Sequence, residues 1–169
     1  MVPRPLSEDG APLDVEEHPP CTETEINRGC IGCLAPVPVQ DSLSKYALHA
    51  ALKDQRFSPM KFEELQTCSC TVSFLTELEE ASSWEDWTIG KHGLLLLIQH
   101  DGETYNSTFL PKVIKGAGWN KTETLVALLE KSGFPGAKDS SVFHQVQLLR
   151  YESSVARMTW AEYLELEEQ

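Results

Sequence analysis

The apolar run Leu94–Ile98 constrains the fold of this chain more than any other segment. A continuous run of this kind is typical of a strand that lies inside a sheet and is buried on both faces. Asp101 and Gly102 follow it, and this pair predicts a tight hairpin turn into a second strand over Glu103–Leu110. Because helix patterns flank these strands, the sequence predicts a mixed α/β domain.

The other elements are predicted from caps, breakers and periodicity. A helix begins at Asp41 or Ser42 and runs to about Asp54. Its predicted buried stripe consists of Leu43, Tyr46, Ala47 and Ala50. The remaining predictions are a short helix around Lys61–Leu65, strands over Cys70–Leu75 and Val142–Tyr151, a helix from Pro111 to Gly116 or Gly118, a helix from the capping box Asn120–Glu123 to Gly133, and a final helix after Thr159–Glu162.

The formal charge of −12 is unevenly distributed along the 169 residues. Residues 1–27 carry seven acids and one base, residues 152–169 carry five and one, and residues 28–151 carry fourteen and twelve. This distribution excludes a broad surface that tracks phosphates, so extended nucleic-acid binding is not predicted. Residues 1–25, which are rich in acids and prolines, are predicted to be a disordered tail.

Hydropathy and cysteine content limit the cellular compartments in which the chain is expected. No stretch approaches the ~20 apolar residues that a membrane helix needs, and the N-terminus lacks a signal-peptide pattern. The chain is therefore predicted to be cytoplasmic or nuclear, without a membrane partner. Its five cysteines are predicted to be reduced thiols.

The segment Arg28–Gly32 is the best candidate for a working site. Gly29 and Gly32 bracket a short apolar run that predicts a strand or strand-turn, in which another backbone or a ligand approaches closely. Cys30 could be a nucleophilic or redox thiolate, with Arg28 stabilising the anion and His92 acting as the base. The alternatives are a Cys30 that packs as a small hydrophobe and a His92 that only satisfies its own turn.

An anion site is a second hypothesis for the same region. Arg28 and Arg56 could bind phosphate or carboxylate if their side chains converge with other cations. The alternative is ordinary pairing with Asp54, Glu64 or Glu123. The glycine spacing lacks the other features of nucleotide-binding loops, so no such motif is predicted.

Metal binding is not predicted, although Cys30, Cys33, Cys68 and Cys70 supply four thiols. On a strand, Cys30 and Cys33 point to opposite faces, and zinc knuckles need tight turns at both cysteine pairs. No cofactor is predicted either.

Several blocks, read in order along the chain, resemble the AMMECR domain family. They are Arg28–Gly32, Ala50–Asp54 with Arg56-Phe57, Val72–Leu75, Trp87 with Gly90–Gly93, Thr108–Pro111, Gly118-Trp119, Lys131–Gly133 and Arg150-Tyr151. The resemblance implies one AMMECR-like domain over residues 26–169, with an α+β fold. It further implies a mixed, largely antiparallel sheet flanked by helices, and two subdomains with a cleft between them.

The resemblance implies a fold more clearly than it implies a function. It implies a protein of unestablished biochemical activity. The residues themselves predict that the cleft binds an anionic or nucleotide-like small ligand, with enzymatic activity through Cys30 as a hypothesis. Cys30 and His92 are then candidate catalytic residues, and Arg28, Gly29, Gly32 and Arg56 are candidate ligand-binding residues. The alternative is a non-catalytic protein-interaction domain. Members of the family usually have a helix and a strand before the Arg28–Gly32 block, and residues 1–27 contain neither, which predicts an uncovered sheet edge or one covered by the tail.

Overall fold

The structure is a computed structural model that describes residues 26–167. The predicted tail over residues 1–25 lies outside the described residues. The described residues divide into two compact units, the first from residues 26–72 and 155–167 and the second from residues 73–154. The predicted tail and the predicted single domain over residues 26–169 remain predictions.

A four-stranded antiparallel sheet forms the centre of the second unit. Its strands are β2 (Glu79–Glu80), β3 (Gly93–His100), β4 (Glu103–Phe109) and β5 (Gln147–Tyr151), in the spatial order β2-β5-β3-β4. β3 is flanked on both sides and is buried over most of its length, as the apolar run predicts. The turn between β3 and β4 places Asp101 at φ 50 and Gly102 at φ 82, the left-handed region that this hairpin type requires.

Two helices cover this sheet. α2 (Pro111–Ala117) begins at its proline and ends at Gly118, whose φ of 70 is left-handed. α3 (Lys121–Lys131) begins at the predicted capping box, in which Asn120 and Glu123 each accept the other's backbone N–H. The core of the second unit comprises Trp87, Leu94–Leu96, Ile98, Phe109, Ile114, Leu125, Leu128, Leu129, Phe143, Leu148, Leu149 and Tyr151.

One predicted strand of the second unit needs correction. Residues Ser140–His144 form a 3-10 helix that begins at Asp139, whose carboxylate accepts the Ser141 amide, so the predicted strand over Val142–Tyr151 is shorter and starts at Gln147. The strand Ser153–Thr159 was not predicted. Its side chains are mostly exposed, and they therefore lack the apolar alternation by which a half-buried strand is recognised.

The first unit contains α1 (Val39–Leu52), a 3-10 helix (Phe62–Thr67) and α4 (Trp160–Glu167). A two-stranded sheet is formed by β1 (Ser69–Leu75) and β6 (Ser153–Thr159). α4 starts as predicted, because Glu162 accepts the Thr159 amide and hydroxyl while Thr159 accepts the Glu162 amide.

The first helix differs from the prediction in its start and in its burial. α1 begins at Val39, ahead of the predicted Asp41 or Ser42, because the Ser42 amide and hydroxyl both bond to the Pro38 carbonyl. None of its fourteen residues is buried, so the predicted buried stripe is wrong: Tyr46 and Ala50 are half-buried, while Leu43 and Ala47 are exposed.

Helices and antiparallel sheets together confirm the predicted α+β fold class. The cleft that the resemblance implies stays a prediction. Within residues 26–167, no helix is long and apolar enough to cross a membrane.

Candidate functional site

The Arg28–Gly32 segment is an irregular extended loop of the first unit and not the predicted strand. Its backbone is bonded to side chains in place of a neighbouring strand: the Gly29 amide donates to Asn27 Oδ1 at 3.1 Å and the Cys30 amide to Asp54 Oδ2 at 2.9 Å. The predicted close approach does occur at Gly29. A Cβ added there would overlap the carbonyl of Ala50 in α1, so only glycine lets the segment lie against this helix.

Asp54 holds the segment from the end of α1. It is 6% exposed, and it is the only buried residue among the described residues of the first unit. Its carboxylate accepts the Cys30 amide together with the Arg56 amide, Nε and Nη2 at 2.9–3.2 Å. The Arg56 side chain and the two backbone amides lower the pKa of Asp54 to about 2, against the opposing effect of burial.

Arg56 completes the contact with Cys30. Its Nη2 donates to the Cys30 carbonyl at 2.8 Å while it also pairs with Asp54. Asp54 and Arg56 therefore bind the two peptide groups of Cys30, one through its N–H and the other through its carbonyl. We call these two side chains the Cys30 clamp.

Arg28 is engaged in an ion pair of its own. Its Nε and Nη2 donate to the two carboxylate oxygens of Glu64 at 2.9 and 3.2 Å, and Nη2 also reaches the Ser58 carbonyl at 3.4 Å. Glu64 accepts the Lys61 amide as well, and this amide, followed by Arg28, lowers its pKa. Arg28 therefore pairs with Glu64 and Arg56 with Asp54. This is the ordinary ion pairing that the sequence offered as the alternative to an anion site. Gly32 ends the segment, lies outside helices and strands, and is half-buried.

His92 belongs to the second unit, whereas Cys30 belongs to the first. Its Nδ1 accepts the Thr88 amide at 2.9 Å, and its own amide donates to the Thr88 carbonyl at 3.0 Å. Burial, followed by the charges of Lys91 and Arg150, lowers its pKa. The hydrogen bond from Thr88 makes Nδ1 an acceptor, so Nε2 is the nitrogen that carries the proton in this geometry, and His92 satisfies its own turn. A pairing with Cys30 stays a prediction.

The four described cysteines are thiols outside disulfides. Cys33 Sγ accepts the Ala35 amide at 3.3 Å, and its contact with the Tyr46 hydroxyl raises the pKa of that tyrosine. Over residues 26–167, no three His, Cys, Asp or Glu side chains come together as a metal-binding group.

Arg150 lies in a charged cluster of the second unit with Asp86 and Glu79. Its Nη1 donates to Asp86 Oδ1 at 2.6 Å and to the Asp86 carbonyl at 2.8 Å, and its Nη2 lies 3.4 Å from Glu79. Three acceptor groups thus surround the guanidinium, so this arginine is poorly placed to bind an added anion. A shallow, open depression of about 530 Å³ also lies in this unit, lined by residues 130 and 133–139, and it contains none of the predicted site residues.

The described part of the first unit has a surface that the sequence reading missed. Its apolar side chains are half-buried or exposed, and none is buried. Phe62 is 76% exposed, and on α1 Leu48 is 58% and Leu52 is 47% exposed. Other exposed apolar side chains of this unit are Ile26, Val37, Val39, Leu43, Val155, Met158, Tyr163, Leu164 and Leu166.

The sequence contained a signal for this surface. Eight of the fourteen residues of α1 are apolar or aromatic, and they are distributed around the helix, which is typical of a helix that packs on more than one side. Large apolar surfaces that remain exposed mark sites of protein interaction.

The fold and these sites define a class before any comparison: an α+β protein whose candidate site holds a buried aspartate paired with a more exposed arginine. The AMMECR1 family model matches residues 21–156. The chain belongs to the AMMECR1 family.

Relatives and a solved structure agree with this assignment. An uncharacterized protein of Arabidopsis thaliana is 39% identical over 139 residues, which cover 81% of this chain and 65% of that protein. An uncharacterized protein of Saccharomyces cerevisiae is 37% identical over 155 residues, which cover 83% and 62%. The crystal structure of an uncharacterized protein from Pyrococcus horikoshii matches with a TM-score of 0.65 and 27% identity, covering 77% of this chain and 64% of that one. The chain thus spans less than two thirds of the length of each of these three proteins.

Proposed function

We propose that this chain is a protein-interaction domain that binds the apolar face of an amphipathic helix through the exposed side of α1. The observation that carries the proposal is the exposure of Leu48 and Leu52 in a helix with no buried residue. A helix with apolar side chains on more than one side is stable in water when a second surface covers it. We thus favour the protein-interaction function, which the sequence offered as the alternative, over an enzymatic function.

The contacts of the candidate catalytic segment also favour an interaction domain over an enzyme. Arg28 and Arg56 are each bonded to a carboxylate, so binding of an anion there has to compete with an ion pair that already exists. The imidazole of His92 uses Nδ1 for the Thr88 amide, which leaves Nε2–H as a donor and not as a base.

A defined probe tests the proposed interaction. We expect a fluorescein-labelled, leucine-rich model helix to bind the dilute full chain with a rise in fluorescence anisotropy. Replacing Leu48 and Leu52 together by Gln should weaken binding by about tenfold to a hundredfold, because two half-exposed leucines contribute roughly 1–3 kcal/mol on burial. Glutamine has nearly the helix propensity of leucine, so α1 itself should persist.

The matched control is Ile89→Gln in the second unit, where Ile89 is 42% exposed. This variant removes a similar exposed apolar side chain from a different surface and should bind the model helix as the unsubstituted chain does. Equal loss in the control and the double variant, or no binding by the unsubstituted chain, would contradict the proposal.

A second candidate function is binding of an anionic or nucleotide-like small ligand at Arg28–Gly32, with Gly29, Gly32 and Arg56 as binding residues and Cys30 as the reactive group. The observation that favours it is the Cys30 clamp, which fixes both peptide groups of Cys30 in a loop that is only half-buried. Rigidly held loop residues of this kind often carry function. If the candidate catalytic pair operates, the Thr88–His92 hydrogen bond has to break so that Nδ1 of His92 can act as the base.

Alkylation rates test this candidate. Cys70 is exposed and Cys30 is half-buried, so an unactivated Cys30 should react more slowly than Cys70 with iodoacetamide near neutral pH. Faster labelling of Cys30, read by mass spectrometry and slowed by inorganic phosphate or ADP, is the result expected for an activated thiolate at an anion site. Labelling of Cys30 at or below the rates of Cys68 and Cys70 would rule the activated thiolate out.

A further inference from the structure

We propose that the turn Thr88–His92 is a pH-sensitive latch, closed by the neutral imidazole of His92 and opened when this ring takes up a proton. The latch lies in the second unit and is separate from the interaction surface on α1. Opening it would release the turn that leads into the central strand β3.

Three hydrogen bonds close the turn. The Thr88 carbonyl accepts the Lys91 amide at 3.2 Å and the His92 amide at 3.0 Å. The third bond uses a side chain, because the Thr88 amide donates to His92 Nδ1 at 2.9 Å. Nδ1 offers a lone pair to this amide only while the ring is neutral. Protonation turns the acceptor into a donor, so the bond is lost and two N–H groups face each other.

The turn connects two buried residues of the second unit. Trp87 precedes it and is 3% exposed, and Gly93 follows it as the first residue of β3. Gly93 packs against the ring of the buried Tyr151. Because packing fixes both ends of the turn, loss of the Thr88–His92 bond acts on the residues between them and does not require the unit to unfold.

The charged groups around His92 offer little to an imidazolium ion. The charges that act on the ring are two cations and two acids, namely Lys91, Arg150, Glu152 and Glu79. Both acids are already paired with these cations. Glu152 pairs with Lys91 at 3.2 Å, and Glu79 pairs with Arg150 at 3.4 Å. A proton on His92 therefore breaks a hydrogen bond without gaining an unpaired carboxylate in exchange.

The direction of the pH response follows from the surroundings of the ring. Burial, followed by the charges of Lys91 and Arg150, lowers the pKa of His92 below its ordinary value of 6.5. The unfolded chain therefore takes up this proton at a higher pH than the folded chain does. The contribution of the closed latch to stability is complete above about pH 6.5 and is lost as the pH falls from there through the lowered pKa.

NMR titration of the isotopically labelled full chain from about pH 8 to about pH 4.5 tests the latch. We expect the amide signal of Thr88 and the ring signals of His92 to change together, with one midpoint below 6.5. Protection of the Thr88 amide from hydrogen exchange, corrected for the intrinsic effect of pH, should fall by about twofold to tenfold through the same midpoint, as for the loss of one hydrogen bond.

His92→Asn separates the acceptor from the titration. The side-chain oxygen of asparagine reaches a position close to that of Nδ1 and accepts a hydrogen bond at every pH. In this variant the Thr88 amide should keep its protection in acid. His144→Asn is the matched control, because it removes an exposed histidine of the same unit and should leave the pH response of Thr88 unchanged.

Three results would overturn the latch. The first is a Thr88 amide that does not respond while His92 titrates, and the second is an equal acid response in His92→Asn. The third comes from the unsubstituted chain alone and decides the matter even if His92→Asn does not fold: ring nitrogen shifts that place the proton on Nδ1 at neutral pH, where it would prevent the bond from Thr88.

Discussion

The carboxylate of Asp54 joins two parts of the chain that are 24 residues apart by accepting the Cys30 amide, and it bonds to Arg56 at the same time. An acid directly after a helix with an arginine two residues on is visible in the sequence. Its burial is not, because it depends on the long-range contact with Cys30. The sequence singled out Arg28, Gly29, Cys30 and Arg56 as candidates and gave Asp54 only as a pairing partner of an arginine. It did not predict the contact of Asp54 with Cys30, because local patterns do not encode such distant contacts.

Asp54→Asn tests the clamp at the residue scale. We expect the free energy of unfolding at pH 7 to fall by about 2 kcal/mol, because the charged hydrogen bonds to Arg56 and Cys30 are weakened. The folded pKa of about 2 lies below the ordinary value of 3.8. The ionised carboxylate therefore stabilises the folded chain above about pH 4, and this contribution is lost as the pH falls towards 2.

Urea unfolding at several pH values gives the comparison between the chain and this variant. The difference in stability should be full at pH 7 and should shrink between about pH 4 and pH 2. Glu63→Gln, which changes an exposed acid in the same unit, should leave the stability nearly unchanged. A loss in Asp54→Asn that stays the same from neutral to acid pH would show that charge has no part in it.

At the scale of elements, prediction succeeded where the signal was local. The hairpin turn at Asp101-Gly102, the capping box at Asn120 and the left-handed end of α2 at Gly118 each depend on a few neighbouring residues, and each is present. The prediction failed for α1 and β6 because the burial of a stripe depends on what covers it. A 3.6-residue period indicates a helix, but it does not say whether another layer lies on top of that helix.

Gly93→Ala tests the packing of the central strand. A Cβ at this position would lie 2.6 Å from the Tyr151 ring and 2.9 Å from the Phe109 carbonyl. Tyr151 is buried, and its hydroxyl bonds to Thr108 and Phe109, so the ring has little room to move. We expect a loss of about 1–3 kcal/mol in the free energy of unfolding.

A helical glycine supplies the control for that measurement. Gly116 is exposed within α2, so Gly116→Ala should raise stability slightly, by up to about 1 kcal/mol. Chemical denaturation of both variants gives the comparison. An unchanged stability in Gly93→Ala would mean that Tyr151 can withdraw from β3 at no cost.

At the scale of the whole molecule, the two units differ in what stabilises them. The second unit has an apolar core under its sheet, whereas the described part of the first has a buried carboxylate and exposed apolar side chains. The sequence predicted the buried central strand of the second unit from the continuous apolar run Leu94–Ile98. In the first unit it predicted a buried stripe on α1, whereas the apolar residues of this helix are half-buried or exposed. The spacing of these residues fits either arrangement.

The central claim is that the outer leucines of α1 serve binding and contribute little to folding. Its most direct test compares the full chain with the Leu48→Gln and Leu52→Gln double variant by urea unfolding at a concentration where the chain is monomeric. We expect free energies of unfolding that agree within about 0.5 kcal/mol, as for ordinary surface positions, in the same variant that loses affinity for the model helix. A loss of several kcal/mol, on the order of that for core leucines, together with unchanged binding would contradict it.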